Sequence, residues 1–263
     1  MSEKAKVYFT DFRADWRESL PKKLARLLRT AGFDTIGMDG KYVAIKMHFG
    51  EPGNLAYLRP QWARVVVDMV RERGGKPFLT DCNTLYVGGR KNALDHLESA
   101  YQNGFTPYVT GCHILIGDGL KGNDEVEVPV EGGQYVKSAK IGRAVMDADV
   151  FISLTHFKGH EMTGMGGCLK NIGMGCGSRA GKMEMHNAGK PSVRQKACVG
   201  CGACADAVNA QPALPGSVLF DKGHDHTDHD HFHAAHPDTN WHTALEHGEK
   251  LGIGTRNYEL IRI

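Results

Sequence analysis

Short apolar runs alternate with segments whose hydrophobic residues recur at helical spacing, an order that few architectures can accommodate. Lys6 to Phe12 reads as a strand, followed by Leu20, Leu24, Leu27 and Leu28 as the buried stripe of a helix closed by Gly32. Tyr42 to Phe49 reads as a second strand, and Trp62 to Val70 as a helix entered near Pro60 and stopped at Gly74 and Gly75. Phe78 to Cys82 reads as a third strand, with a helix over roughly Lys91 to Asn103 behind it. After His113 to Ile116, Val126 to Val130 and Tyr135 to Ala139 read as a hairpin around Gly132 and Gly133, and Val150 to His156 as a buried strand. The order predicts an α/β fold: an open, mostly parallel or mixed sheet with helices on both faces.

Ligands of such sheets bind outside the carboxyl ends of the strands, so the residues there carry the functional reading. The second strand ends in Lys46, His48, Gly50 and Glu51, the third in Asp81, Cys82 and Asn83, and the strand after the hairpin in His156, Lys158, Gly159 and His160. Loop starts are commonly polar. Three together, two of them holding a Lys and a His within three residues, favour a shared anion-binding or acid/base pocket.

Of the 33 glycines, eight fall in the 23 residues from Gly159 to Gly181. Among and beside them stand His160, Cys168, Lys170, Asn171, Cys176, Arg179, Lys182 and His186, which interleaves a backbone able to approach a ligand with cationic and soft-metal groups. No G-x4-G-K-[ST] phosphate loop occurs, nor a G-x-G-x-x-G after the first strand, which disfavours the common nucleotide folds. A flexible lid is the plainer reading of this segment. The cations Lys158, Lys170, Arg179 and Lys182 point instead to an anionic ligand such as a carboxylate or phosphate.

Seven cysteines are an odd number, better suited to metal ligation than to a closed disulfide framework. Cys198, Cys201 and Cys204 form C-x2-C-x2-C with small intervening residues, the spacing at which thiolates wrap an iron–sulfur cubane. Zinc more often uses paired C-x2-C knuckles. The bacterial ferredoxin run continues with x3-Cys-Pro, but this chain has Val208 and Asn209 there, and no cysteine follows Cys204. The fourth ligand of a 4Fe-4S cluster therefore stays open, with Cys168, Cys176 or a histidine as candidates; a three-iron or open-site cluster and a broken site are the alternatives. Of 14 histidines, six lie between His224 and His236; His224, His226, His229, His231 and His233 alternate with Asp225, Asp228 and Asp230 in a tract suited to zinc or nickel. A loose metal buffer and a solvated linker both fit that composition. Trp241 to Leu251 reads as a closing helix.

Lys and Arg number 32 against 30 Asp and Glu, a net charge of +2 with no long run of one sign, so there is no footprint for nucleic acid or an anionic membrane. No stretch approaches the roughly 18 apolar residues of a membrane span, and the first six residues lack the apolar run of a signal peptide. The expectation is a cytoplasmic protein.

The segments Ala44-Ile45-Lys46-Met47-His48-Phe49-Gly50-Glu51-Pro52-Gly53-Asn54, Thr80-Asp81-Cys82-Asn83-Thr84-Leu85-Tyr86 and Phe157-Lys158-Gly159-His160, with Gly166 through Gly175, resemble the ferredoxin-associated domain-of-unknown-function family 362. The resemblance spans roughly residues 5 to 204 and resumes from about Asn209, where Leu214-Pro215-Gly216-Ser217, His236-Pro237-Asp238 and Leu245 to Gly252 look like the family's carboxyl terminus. It implies an iron–sulfur redox protein without naming a substrate. The chain departs from the family pattern after Cys204. Family members typically carry there an insert with two C-x2-C-x2-C-x3-C-P runs, whereas this chain passes directly to Ala205-Asp206-Ala207-Val208-Asn209, as though most of the insert were missing between Cys204 and Ala205.

The expected organisation is an α/β core over residues 1–190 with a glycine-rich loop at 158–186, a partial ferredoxin-like iron–sulfur segment at 191–208, and a His-rich loop with a carboxyl-terminal helix packing back on the core at 209–263. The expected function is electron transfer between the cluster, a redox partner protein and a small anionic ligand. Lys46, Glu51, Asp81, Asn83, Lys158, Asn171 and Arg179 would bind the ligand, and His48, His160, Lys170 and His186 would do the chemistry. Two alternatives are a redox-independent metal-binding or metal-delivery protein, and a non-redox isomerase or lyase acting on a small carboxylate.

Overall fold

The structure, a computed structural model, describes residues 6–86, 88–134, 136–160 and 164–186. Its centre is a four-stranded, wholly parallel sheet in the order β3-β2-β1-β6, made of β1 (Tyr42–Lys46), β2 (Lys76–Asp81), β3 (Ile114–Ile116) and β6 (Val150–Ser153). Strand β1 is flanked on both sides, and its last four residues are all buried, which is why Val43-Ala44-Ile45 runs apolar without alternation. The α/β expectation holds.

Alternate side chains of β1 enter separate cores. Val43 and Ile45, with Met47 beyond the strand, join Leu24 and Leu28 of α1 (Leu20–Thr30) and Val66, Val67 and Val70 of α2 (Pro60–Glu72). Ala44 belongs to the opposite cluster, with Phe78, Phe151, Ile141 of β5 (Ser138–Gly142), Val145 of α5 (Arg143–Met146) and Ile172 of α6 (Cys168–Gly173). Each such Val, Leu, Ile or Phe contributes about 1.5–3 kcal/mol when fully buried. Local signals set the helix starts: Pro21 and Pro60 occupy first turns, and the Asn92 side chain accepts from the backbone N–H groups of Leu94 and Asp95 to open α3 (Ala93–Gln102). A short helix α4 (Pro107–Thr110) precedes β3, and β4 (Glu125–Pro129) pairs antiparallel with β5 as the expected hairpin.

Two expectations are corrected. Lys6 to Phe12 is not a strand: residues 6–10 are irregular, and Val7, Phe9 and Phe12 are exposed. The segment joins no described strand ladder and leads into α1, with the Phe12 ring edge-on to Trp62. The glycine-rich segment 158–186 is more than a loop. It contains a hairpin of β7 (Lys158–His160) and β8 (Gly164–Gly166), then α6 and α7 (Arg179–His186), because Cys168, Ile172 and Met185 supply apolar anchors between the glycines. The expected segments at 191–208 and 209–263 lie outside the described residues.

Candidate functional site

From β1 the chain builds outward to β2 and β3 on one side, then returns to place β6 on the other. The gap between the carboxyl ends of β1 and β6 is therefore a topological switch point, where open α/β sheets bind ligands. Register levels Lys46 with Thr80 of β2 and Ser153 of β6, so three polar residues end the central strands side by side.

Lys46 is 1% exposed and committed to two partners. Its Nζ donates to Asn171 Oδ1 at 2.8 Å and pairs with Asp81 Oδ1 at 2.9 Å. Asn171, on α6, in turn donates from Nδ2 to Thr155 Oγ1 at 2.9 Å and Ser153 Oγ at 3.2 Å, and the two hydroxyls are 2.7 Å apart. One amide thus reads the ammonium and both hydroxyls. Gly175 makes this approach feasible: a Cβ there would lie 2.0 Å from the Asn171 carbonyl oxygen and 2.6 Å from Lys46 Nζ. Burial alone would raise the Asp81 pKa, but the neighbouring cations, Lys46 foremost, hold the carboxyl well below the usual carboxylate range.

Around this pair stand Arg90, Glu51, His96 and His48. Arg90 pairs with Asp81 Oδ2 through NH1 at 3.5 Å and with Glu51 Oε1 through NH2. His96 is fully buried with Nε2 3.8 Å from Asp81 Oδ2, and its ring meets Phe49 edge-on; burial pushes its pKa down to about 3. His48 is an exposed residue, yet crowding of its ring by protein, followed by the Arg90 charge, pushes its pKa down to about 4. Its Nδ1 accepts from the Gly50 backbone N–H at 2.8 Å, so the neutral ring carries its proton on Nε2. At neutral pH, His48 is a hydrogen-bond donor and not an imidazolium acid.

The structure gathers Lys46, His48, Glu51, Asp81 and Asn171 at one place. Asn83 adjoins them through the chain, where its backbone N–H and Nδ2 both bond Asp118 Oδ1, at 2.8 and 2.9 Å. Lys158 and His160 occupy β7, and Lys170 lies in α6. Arg179 and His186 mark the two ends of α7, bonding the Lys121 carbonyl at 3.3 Å and approaching the Tyr86 hydroxyl at 3.4 Å. Lys182 donates to the Gly177 carbonyl at 2.5 Å. Cys168 and Cys176 are buried, and burial pushes the Cys176 thiol up to about 12. Among the described residues no group of three or more His, Cys, Asp or Glu is placed to hold a metal ion. Cys198, Cys201, Cys204 and the tract from His224 to His233 lie outside the described residues.

Sequence reasoning missed Arg90, His96, Ser153 and Thr155. Ser153 and Thr155 flank Leu154 at the end of β6 and were legible as strand-end polar residues. Arg90 follows Gly88 and Gly89, a faint signal of a cation brought close by small neighbours. His96 reads as an ordinary helix residue, and nothing local marks it.

Comparison with known proteins places these residues within a wider match. A family model described as "Domain of unknown function (DUF362)" matches residues 43–244. The thylakoid-associated protein sll1697 of Synechocystis sp. is 29% identical over 150 residues, which amount to 54% of this chain and 40% of that protein. The chain thus matches less than half the length of that relative. The solved structure of the lactate racemase apoprotein from Thermoanaerobacterium thermosaccharolyticum aligns at 15% identity over 56% of this chain and 34% of that one, with a TM-score of 0.41.

Proposed function

Because the chain belongs to the DUF362 family, whose description names no activity, we propose its function from its own residues: it is a cytoplasmic redox protein that holds a small anionic ligand at the switch point. Cys198, Cys201 and Cys204 carry an iron–sulfur cluster in this reading. The observation that supports the ligand site is the ensemble of Lys46 and Asp81, buried at the carboxyl ends of β1 and β2, with Asn171 of α6, joined by hydrogen bonds and adjoined by a neutral imidazole. Perturbed titratable groups gather at functional sites.

The division of labour follows from the geometry. Lys46, its charge offset by Asp81 and its ammonium held by Asn171, ties the strand ends to α6 at the floor of the site. Ser153 and Thr155 present hydroxyls beside it, and His48 offers an Nε2–H to an oxygen of the ligand. Thiolates at C-x2-C-x2-C suit an iron–sulfur cluster, which when bound supplies one-electron transfer. A redox partner protein completes the exchange. The full chain purified without oxygen is predicted to contain iron and acid-labile sulfide, and replacing Cys198, Cys201 and Cys204 with Ser is predicted to remove both. Colourless protein without either overturns the reading.

A second reading, a non-redox isomerase or lyase on a small carboxylate, is favoured by one observation: the polar ensemble is assembled from residues 46–171 and uses no cysteine side chain. Iron-free protein that still binds acetate at this site would favour it.

A further inference from the structure

The charges at the switch point cancel in pairs. Lys46 faces Asp81, and Arg90, whose side chain is 8% exposed, is met by Glu51. The Lys46 ammonium is committed to Asp81 and Asn171, so it offers an incoming anion little. Arg90 is placed differently. Its NH2 contacts one oxygen of Glu51, its NH1 lies a long 3.5 Å from Asp81, and its Nε makes no hydrogen bond among the described residues. The Nε and NH2 donors form one edge of the guanidinium fork, the edge that a carboxylate or phosphate bonds with two oxygens.

Glu51 is bound loosely by comparison. Its side chain is 46% exposed, and it sits in the turn between Gly50 and Gly53, both at positive φ, where its carbonyl accepts from the Asn54 N–H. We propose that Arg90 is the anchor for the ligand's anionic group and that Glu51 is an internal counterion which the ligand displaces. This deepens the anion-binding reading above and rests on it. Removing Glu51 from the guanidinium returns its carboxylate to water it already touches, at small cost. The arriving anion gains the Nε donor that Glu51 leaves unused. It also balances the charge, because Lys46 and Arg90 against Asp81 alone leave one positive charge uncompensated. His48, whose ring feels the Arg90 charge, then stands beside the anion with its Nε2–H.

The test is a titration of the full chain with acetate and, separately, inorganic phosphate, followed through the Gly50 amide in amide–nitrogen correlation spectra. That amide bonds His48 and directly precedes Glu51. Glu51→Gln is predicted to bind the preferred anion about two- to fivefold more tightly than the unaltered protein, and Arg90→Gln at least about tenfold more weakly. The arm that binds distinguishes carboxylate from phosphate chemistry. Unchanged or weaker binding by Glu51→Gln overturns the counterion role, and this exposed substitution decides the matter even where Arg90→Gln fails to fold. Binding that ignores both substitutions removes Arg90 as the anchor but leaves the anion site. Absence of any anion response in the unaltered protein and in Glu51→Gln overturns both.

Discussion

Lys46 Nζ stands 2.8 Å from Asn171 Oδ1, tying the end of β1 to α6 across 125 residues of chain. With Asp81 on its other side, the ammonium is the point where the parallel sheet and the glycine-rich segment meet. A buried charge is tolerated here because both partners are in hydrogen-bonding range.

Replacing Lys46 with Met is therefore expected to strand the Asp81 carboxylate and destabilise the fold by about 3–5 kcal/mol. Urea unfolding measures this. Combining Lys46→Met with Asp81→Leu should cost less than Lys46→Met alone, since an apolar pair replaces an orphaned charge. A double substitution that is simply additive contradicts the pairing.

Acid sensitivity follows from three groups. The folded pKa values of His96 and His48, about 3 and about 4, lie below the ordinary 6.5, so the unfolded chain binds their protons first. Stability is then full above about pH 6.5 and falls as pH drops through the interval toward 4. Asp81, depressed below 3.8, adds a loss at still lower pH, as the unfolded carboxyl protonates before the folded one. His96→Leu should reduce the slope of unfolding free energy against pH between 4 and 6.5 by about one proton. An unchanged slope contradicts the neutral buried imidazole.

The His48 ring should titrate near 4 with its proton on Nε2 above that pH. Nitrogen chemical shifts of the ring separate the tautomers directly. A ring that titrates near 6.5 would restore it as an acid at neutral pH.

Gly175→Ala should be costly, because the new Cβ meets the Asn171 backbone oxygen and Lys46 Nζ. The expected loss is about 1–3 kcal/mol, read by thermal or urea unfolding, with weakened anion binding. Gly159→Ala is the contrast: nothing lies within 4 Å of a Cβ there, so its stability should be nearly unchanged.

Much of the fold could be read in advance, for a physical reason. Strands β1 and β6 are short, largely apolar runs buried along most of their length, β2 carries the apolar pair Phe78-Leu79, and Lys46, Glu51 and Asp81 are polar residues that end or follow β1 and β2. Asn171 was legible only as one polar residue among glycines. Its role depends on α6, whose buried Cys168 and Ile172 the glycine content obscured. Arg90 and His96 were hidden because they reach Asp81 from the loop and helix after β2, a contact set by tertiary packing and not by local pattern. The segment from Lys6 has strand composition, but composition cannot supply the ladder partner that a strand needs.

The proposed iron–sulfur redox centre serving an anion site is tested most directly by anaerobic electron paramagnetic resonance of the dithionite-reduced full chain. A low-temperature signal of a reduced iron–sulfur cluster, lost when Cys198, Cys201 and Cys204 are replaced with Ser, is the predicted result. A protein purified without oxygen that gives no such signal before or after reduction, and contains no iron, contradicts it.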